Sequence, residues 1–280
     1  PDVIGMDESP TRAVRQRTES SIVRMSVLGS HKCENPYDVV ISAGNTGACV
    51  AAGIMNMKRL PGVHRPGIAV TIPAFHGPIV LCDAGANPEP KATHLWQYGV
   101  MADVLAREVL GIAEPRVALM NIGSEEAKGS ELVKQTRDML RATPGLNFIG
   151  YVEGRDFFAG AADVIITDGF VGNTVLKMAE GMAKSLFQAI AQEIFELDPD
   201  LAVRFEPVVK QIYAKNDYHE YGGAPLLGVN GAMMIAHGSS EARTIRAAIR
   251  NAREFVAHNV NERIVSRLAE VEQAAATAAG

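Results

Sequence analysis

The chain has 280 residues, 47% hydrophobic and 21% charged, with a formal net charge of −5 at pH 7. This composition suits a soluble globular protein with a substantial core, either one large α/β domain or two small ones. The acidic balance excludes non-specific nucleic-acid binding, which needs a basic face to neutralise phosphates. Cys33, Cys49 and Cys82 are scattered and form no CxxC pair, so a reduced cytoplasmic interior is expected, with neither a disulfide framework nor a zinc site. No apolar run reaches the roughly 18–20 residues of a membrane span, and the start is not a signal peptide. The chain opens mid-pattern without Met, so we expect a natural segment before Pro1.

In chain order, Ser9–Pro10 and the following TRAVRQRTESSIVRMSVLG predict one helix with Pro in its first turn. Tyr37–Ile41 predicts a strand ending in the turn Ser42-Ala-Gly-Asn-Thr-Gly-Ala48 and a small-residue helix. Such a turn points backbone N–H groups of a helix start at an anion. Its glycines fit neither GxGxxG nor GxxxxGK[ST], and a plain tight turn would use them equally well.

Gly67–Pro73 and Pro78–Cys82 predict two strands, the second ending in Asp83-Ala-Gly-Ala-Asn87. Lys91–Leu110 is a helical pattern whose Trp96 reads as packing. Arg116–Ile122 predicts a strand followed by Gly123-Ser-Glu-Glu-Ala-Lys-Gly129 and a helix. Lys128, near that helix start, opposes the helix dipole; it either holds an anion or pairs with Glu125 or Glu126.

Phe148–Val152 is a further strand, and RDFFAGA a short helix-like piece. In DVIITDGFVGNTVLK, Val164–Ile166 is a β-branched run broken by Asp168–Gly169, after which a helical pattern begins. Ligands of open α/β sheets sit at such carboxyl ends. Lys177–Leu197 and Asp200–Tyr213 predict a helix pair too apolar for ordinary surface helices; a dimer or core contact suits it better than a membrane surface, since its polar face is not strongly basic.

Tyr221–Gly228 predicts a strand or loop lining the cleft, and Met233–Ala236 a strand. His237-Gly-Ser-Ser240 would be an anion seat at the start of one long helix from Ser240 to about Glu272, with Ser239 also suited to capping and a frayed tail beyond. Strand–helix alternation throughout predicts one doubly wound, mostly parallel α/β unit over residues 1–280, with a helical hairpin appended at 184–218.

Five motifs in order, SAGNTGA, DAGAN, NIGSEEAKG, DVIITDGFVGNTVLK and YGGAPLLGVNG…AHGSS, closely resemble the phosphate acyltransferase (PlsX) family of bacterial lipid synthesis, from about Val3 to Asn259. The resemblance implies the isocitrate/isopropylmalate dehydrogenase and phosphotransacetylase fold, a homodimer, and no metal or organic cofactor. It also implies transfer of a fatty acyl group from acyl carrier protein to inorganic phosphate. The acyl phosphate would serve a membrane glycerol-3-phosphate acyltransferase, and the helix pair would associate peripherally with the membrane from the cytoplasm.

By the same resemblance Lys128 and Asn173 are catalytic. Phosphate is already a nucleophile and a thiolate a fair leaving group, so the site must gather anions and stabilise an oxyanion. Asn45, Thr46, Gly47, Asp83, Asn87, Asp168, His237, Ser239 and Ser240 are the candidate phosphate and substrate contacts. The family's opening strand with its DAMGGD-like loop is absent from these 280 residues. Competing readings are an acyl-CoA-dependent phosphotransacetylase, a nicotinamide-dependent dehydrogenase of this fold, for which no aspartate cluster is evident, and a non-catalytic lipid- or carrier-binding module.

Overall fold

Short aliphatic runs punctuated by glycine turns form eight strands in a computed structural model, which describes residues 2–74, 76–215 and 221–279. The strands are β1 (Val39–Ser42), β2 (Gly67–Ile72), β3 (Ile79–Cys82), β4 (Val117–Met120), β5 (Phe148–Val152), β6 (Val164–Ile166), β7 (Ala224–Leu227) and β8 (Ala232–Ile235). They make one sheet in the order β1-β8-β7-β2-β3-β6-β4-β5.

The sheet is mostly parallel: β1–β8, β3–β6, β6–β4 and β4–β5 pair parallel, while β8–β7, β7–β2 and β2–β3 pair antiparallel. The antiparallel centre has a simple cause. Only six residues separate Ile72 from Ile79, too few for the crossover of a dozen or more that parallel strands require. Three reversals lie between β8 and β3, so β1 and β8 point their carboxyl ends away from those of β3, β6 and β4. The glycine turns are thereby sorted into two groups on opposite edges of the sheet.

Helix α4 (Ala92–Leu110) is the core's central helix. It packs on β3 and β6 and is covered by α5 (Glu131–Arg141) and α9 (Val260–Ala279). Leu95, Tyr98, Met101 and Leu105 are buried among Val80, Leu119, Val164 and Ile166. A second cluster joins α1 (Pro10–Gln16), α2 (Ser21–Leu28) and α3 (Thr46–Ala52) to β1, β7 and β8 through Val14, Ile22, Val40, Cys49, Leu226 and Met233.

Several predicted elements are divided or shifted. The expected first helix is two, α1 and α2, broken at Arg17, whose guanidinium is drawn back to Asp2 (2.6 Å) and Glu8 (2.8 Å). The helix after β1 passes into a π-helical turn over Gly53–Met57. The expected long C-terminal helix from Ser240 is α8 (Ala242–Ala257) followed by α9, divided at Asn259, which has a left-handed φ of 52°, a conformation Asn tolerates better than most residues. Ser239 does not cap it; Glu241 occupies the N-cap position. The expected frayed tail is helical to Ala279. Tyr221–Gly228 supplies β7, an inner strand with Leu226 and Leu227 buried. Of the expected hairpin, residues 216–218 lie outside the described residues.

Helix α6 (Gly169–Leu197) begins eight residues earlier than the expected helix pair and runs 29 residues without a break into the turn before α7 (Pro199–Lys215). Its only buried residues are Gly169 and Gly172. There it presses on the loop after β3: a Cβ added at Gly172 would lie 2.0 Å from the carbonyl oxygen of Asp83, and one at Gly169 2.8 Å from that of Asn87. Backbone on backbone leaves no room to yield. Gly172→Ala therefore costs about 3 kcal/mol in urea denaturation through overpacking. Gly181→Ala, where a Cβ meets nothing within 4 Å, instead gains about 0.5–1 kcal/mol from helix propensity.

Candidate functional site

The loop 83–87 is built around one carboxylate. Asp83 is fully buried; its Oδ1 accepts from the backbone N–H of Ile68 (3.0 Å), Gly85 (3.1 Å) and Ala86 (3.0 Å), and its Oδ2 from that of Asn87 (2.7 Å). Burial pushes this carboxyl above its ordinary value, and the four N–H donors pull it down. Only donors face the group, so the ionised form is the one the geometry accommodates.

Asn87, also buried, has its Nδ2 near the carbonyl of Pro66 (2.7 Å), the hydroxyl of Tyr98 (2.7 Å) and Asp83 Oδ2 (3.3 Å). Its backbone carbonyl accepts from Gly169 N. Burial pushes the Tyr98 phenol well up, so it stays protonated. Asp83 and Asn87 thus form the frame of the site and lie inside it.

On this frame stands the first turn of α6. Asp168 caps it, its Oδ1 accepting from Phe170 N (3.0 Å) and Val171 N (2.8 Å). Asn173 follows on the exposed side with its side chain 3.6 Å from where a Cβ of Gly85 would be, and that side chain makes no hydrogen bond to a described residue. Beside it in sheet order, the loop after β4 is stapled by buried Asn121, whose Nδ2 donates to Gly123 O (3.0 Å) and Lys128 O (3.3 Å). Lys128 is exposed, and its Nζ pairs with Glu125 at 2.8 Å. Asp83, Asn87, Asp168, Asn173 and Lys128 therefore stand on three neighbouring strand ends.

The other candidates form a second group at the ends of β1 and β8. Asn45 is buried and caps α3, accepting from Ala48 N (2.9 Å), while its Nδ2 donates to Gly5 O (3.1 Å); both ends of the amide are occupied. His237 and Ser239 are exposed and bonded to each other, Nδ1 to Oγ at 2.6 Å. Ser240 Oγ is buried without a hydrogen-bond partner among the described residues. Thr46 and Gly47 open α3, which runs back from that edge. One face of α3 and its π-helical turn, carrying Gly47, Val50, Ala51, Ile54 and Met55, lines an open cleft of about 330 Å³. Arg65, Ala86 and Asn87 stand on the cleft as well, so it joins α3 to the frame of the first group.

Sequence reasoning missed Arg65, Tyr98 and Asn121. Asn121 lay in a motif already singled out, at the end of β4; Arg65 and Tyr98 have no local signature. Among the described residues no group of three His, Cys, Asp or Glu is arranged to hold a metal ion.

Solved phosphotransacetylases share this architecture. The EutD phosphotransacetylase from Staphylococcus aureus superposes with a TM-score of 0.53 at 14% identity, over 93% of this chain and 78% of that one. A phosphotransacetylase from Streptococcus pyogenes gives 0.52 at 18% identity, over 78% of this chain; the match spans 63% of that enzyme. The protein thus has the fold of that class of acyl-transfer enzymes. Sequence places it further. The phosphate acyltransferase of Desulfitobacterium hafniense is 46% identical over 270 residues, 95% of this chain and 80% of that protein. That of Heliobacterium modesticaldum is 48% identical over 263 residues, 92% of this chain and 76% of its own length. A family model described as fatty acid synthesis protein matches residues 1–263, and the chain belongs to that family.

Asp83→Asn tests the frame. An amide turns two hydrogens toward N–H donors and leaves them unpaired, at a cost of about 2–4 kcal/mol in urea denaturation. Asp83→Ala is expected to be comparably damaging.

Proposed function

We propose that this chain transfers a fatty acyl group from acyl carrier protein to inorganic phosphate, giving acyl phosphate for phospholipid synthesis. Family membership supports the acyl transfer to phosphate. The observation that carries the site is the pair Lys128 and Asn173, both exposed, Lys128 on the loop after β4 and Asn173 near the start of α6 after the adjacent strand β6.

A phosphate oxygen attacks the thioester carbonyl carbon, the C=O electrons move onto oxygen, and collapse of the tetrahedral intermediate expels the thiolate. Asn173, its amide otherwise unused, donates N–H to the developing oxyanion. Lys128 draws in phosphate and offsets the accumulating negative charge, exchanging its exposed partner Glu125 for the substrate. Neither role needs a strong base. Asp83, Asn87 and Asp168 hold these groups in place so that little reorganisation is required at reaction. Of the turns expected to add donors for phosphate, Gly47 shares a cleft with Asn87, whereas the amide of Asn45 is used at both ends and the turn His237–Ser240 stands at the opposite edge of the sheet.

The reading extends to where the product goes. Helices α6 and α7 expose Leu186, Phe195, Leu197, Val203 and Val208, with Leu197 78% exposed at the turn. No helix among the described residues is long and apolar enough to cross a membrane. An apolar hairpin of this kind lies on a bilayer surface or pairs with the same hairpin of a second copy. Both fit a cytoplasmic homodimer that hands acyl phosphate to a membrane glycerol-3-phosphate acyltransferase.

Thiol release from palmitoyl-acyl carrier protein is expected to depend on inorganic phosphate and to persist in EDTA. Lys128→Ala and Asn173→Ala lower turnover by about 100-fold or more with unchanged thermal unfolding; phosphate-independent release, or full activity in both variants, would refute the reading. A second expectation concerns the hairpin. The double variant Phe195→Asp/Leu197→Asp loses sedimentation with phosphatidylglycerol vesicles while keeping phosphate-dependent turnover on the soluble acyl carrier protein substrate.

A further inference from the structure

Arg65 is exposed, lies two residues before β2, and lines the cleft between α3 and the loop 83–87. Its guanidinium does not hang free. Nε donates to Asn87 Oδ1 at 2.8 Å, and Asn87 is 5% exposed, held by Pro66, Tyr98 and Asp83. A buried network therefore fixes the orientation of an exposed cation. Its two terminal nitrogens make no hydrogen bond or ion pair with any described residue.

The surroundings carry both signs: the Asp83 carboxylate lies beneath Asn87, and Lys91 with the imidazoles of His64 and His94 lies nearby. His94 is held below its ordinary value by burial and then by the charges of Arg65, His64 and Lys91. The rest of the cleft is lined mostly by apolar side chains, Pro10, Val50, Ala51, Ile54 and Met55 beside Thr11, and a low-dielectric wall strengthens any charge–charge contact made beside it. A planar fork with both terminal nitrogens open, fixed at its third nitrogen, matches two oxygens of a phosphate group. The same loop that orients Arg65 supports Asn173 through Gly85 and Gly169.

We infer that Arg65 is a phosphate-binding residue of the reaction site, and that the group it binds is the attacking inorganic phosphate. The inference rests on the acyltransferase reading above and adds a second cation to Lys128. A phosphate group could also come from the phosphodiester in the carrier's thiol arm, and the two sources separate kinetically.

Steady-state rates of wild type, Arg65→Gln and Arg65→Lys, varying inorganic phosphate and then acyl-acyl carrier protein, make the test. In Arg65→Gln the KM for phosphate is expected to rise about 10- to 100-fold, with the KM for the acyl donor within about twofold and thermal unfolding unchanged. Arg65→Lys recovers only part of the loss, because it keeps the charge without the fork. Methylguanidinium added to Arg65→Gln restores low-phosphate turnover, which a merely structural role for Arg65 would not allow. An unchanged phosphate KM overturns the inference, and so does a rise confined to the acyl donor, which would assign Arg65 to the carrier arm. Calorimetric titration with inorganic phosphate keeps the two readings apart. Wild type that binds phosphate more tightly than Arg65→Gln yet releases no thiol would sink the reaction and leave Arg65 standing. Equal binding by both proteins would sink Arg65.

Discussion

The carboxylate of Asp83 is the constraint on which the rest of the site depends. A buried anion in an apolar interior is expensive unless its lone pairs are met; here backbone N–H groups from Ile68, Gly85, Ala86 and Asn87 meet them. One of those donors is on β2, and the other three belong to the loop itself. The carboxylate therefore ties the antiparallel centre of the sheet to the strand end where ligands are expected. It also explains how five residues of mostly small side chains hold a fixed shape.

Everything placed on the loop inherits that shape. Gly169 and Gly172 meet it through backbone alone, so the start of α6 is set by main-chain contact rather than by side-chain packing that could drift. Asn87 orients Arg65, and Gly85 flanks Asn173. Lys128 belongs to a separate loop with its own staple, Asn121. The site thus combines two independently rigid loops with exposed, long or uncommitted functional groups between them, which is how a protein positions charge without burying it.

Much of this was legible in the sequence because strand ends and glycine turns are local features. Val39–Ser42, Ile79–Cys82 and Val164–Ile166 are β-branched or aliphatic runs, and Phe148–Val152 is an aromatic and β-branched one; each is stopped by glycine or by polar turn residues, and each is a strand. The reversal at β2–β3 was available from the six-residue link, yet strand–helix alternation elsewhere masked it. The break at Asn259 was hidden because its helical periodicity continues on both sides. Arg65 could not be found locally, since its meaning comes from Asn87, 22 residues on. Asp83 and Asn45 were legible as important positions but not as structural ones. An acidic or amide side chain at a glycine turn looks the same whether it faces a ligand or its own backbone; only the direction of the N–H groups tells them apart.

The unbroken course of α6 makes it a lever. From Asn173 to Leu197 the helix rises about 36 Å at 1.5 Å per residue, and its fulcrum is the pair of glycines seated on the loop. A tilt of about 5° that displaces the far turn by about 3 Å rotates the first turn by the same angle. With a clearance at Gly172 too small for a methyl group, the carbonyl of Asp83 has to move with it. Whatever grips the far end of the hairpin is mechanically in series with the amide of Asn173.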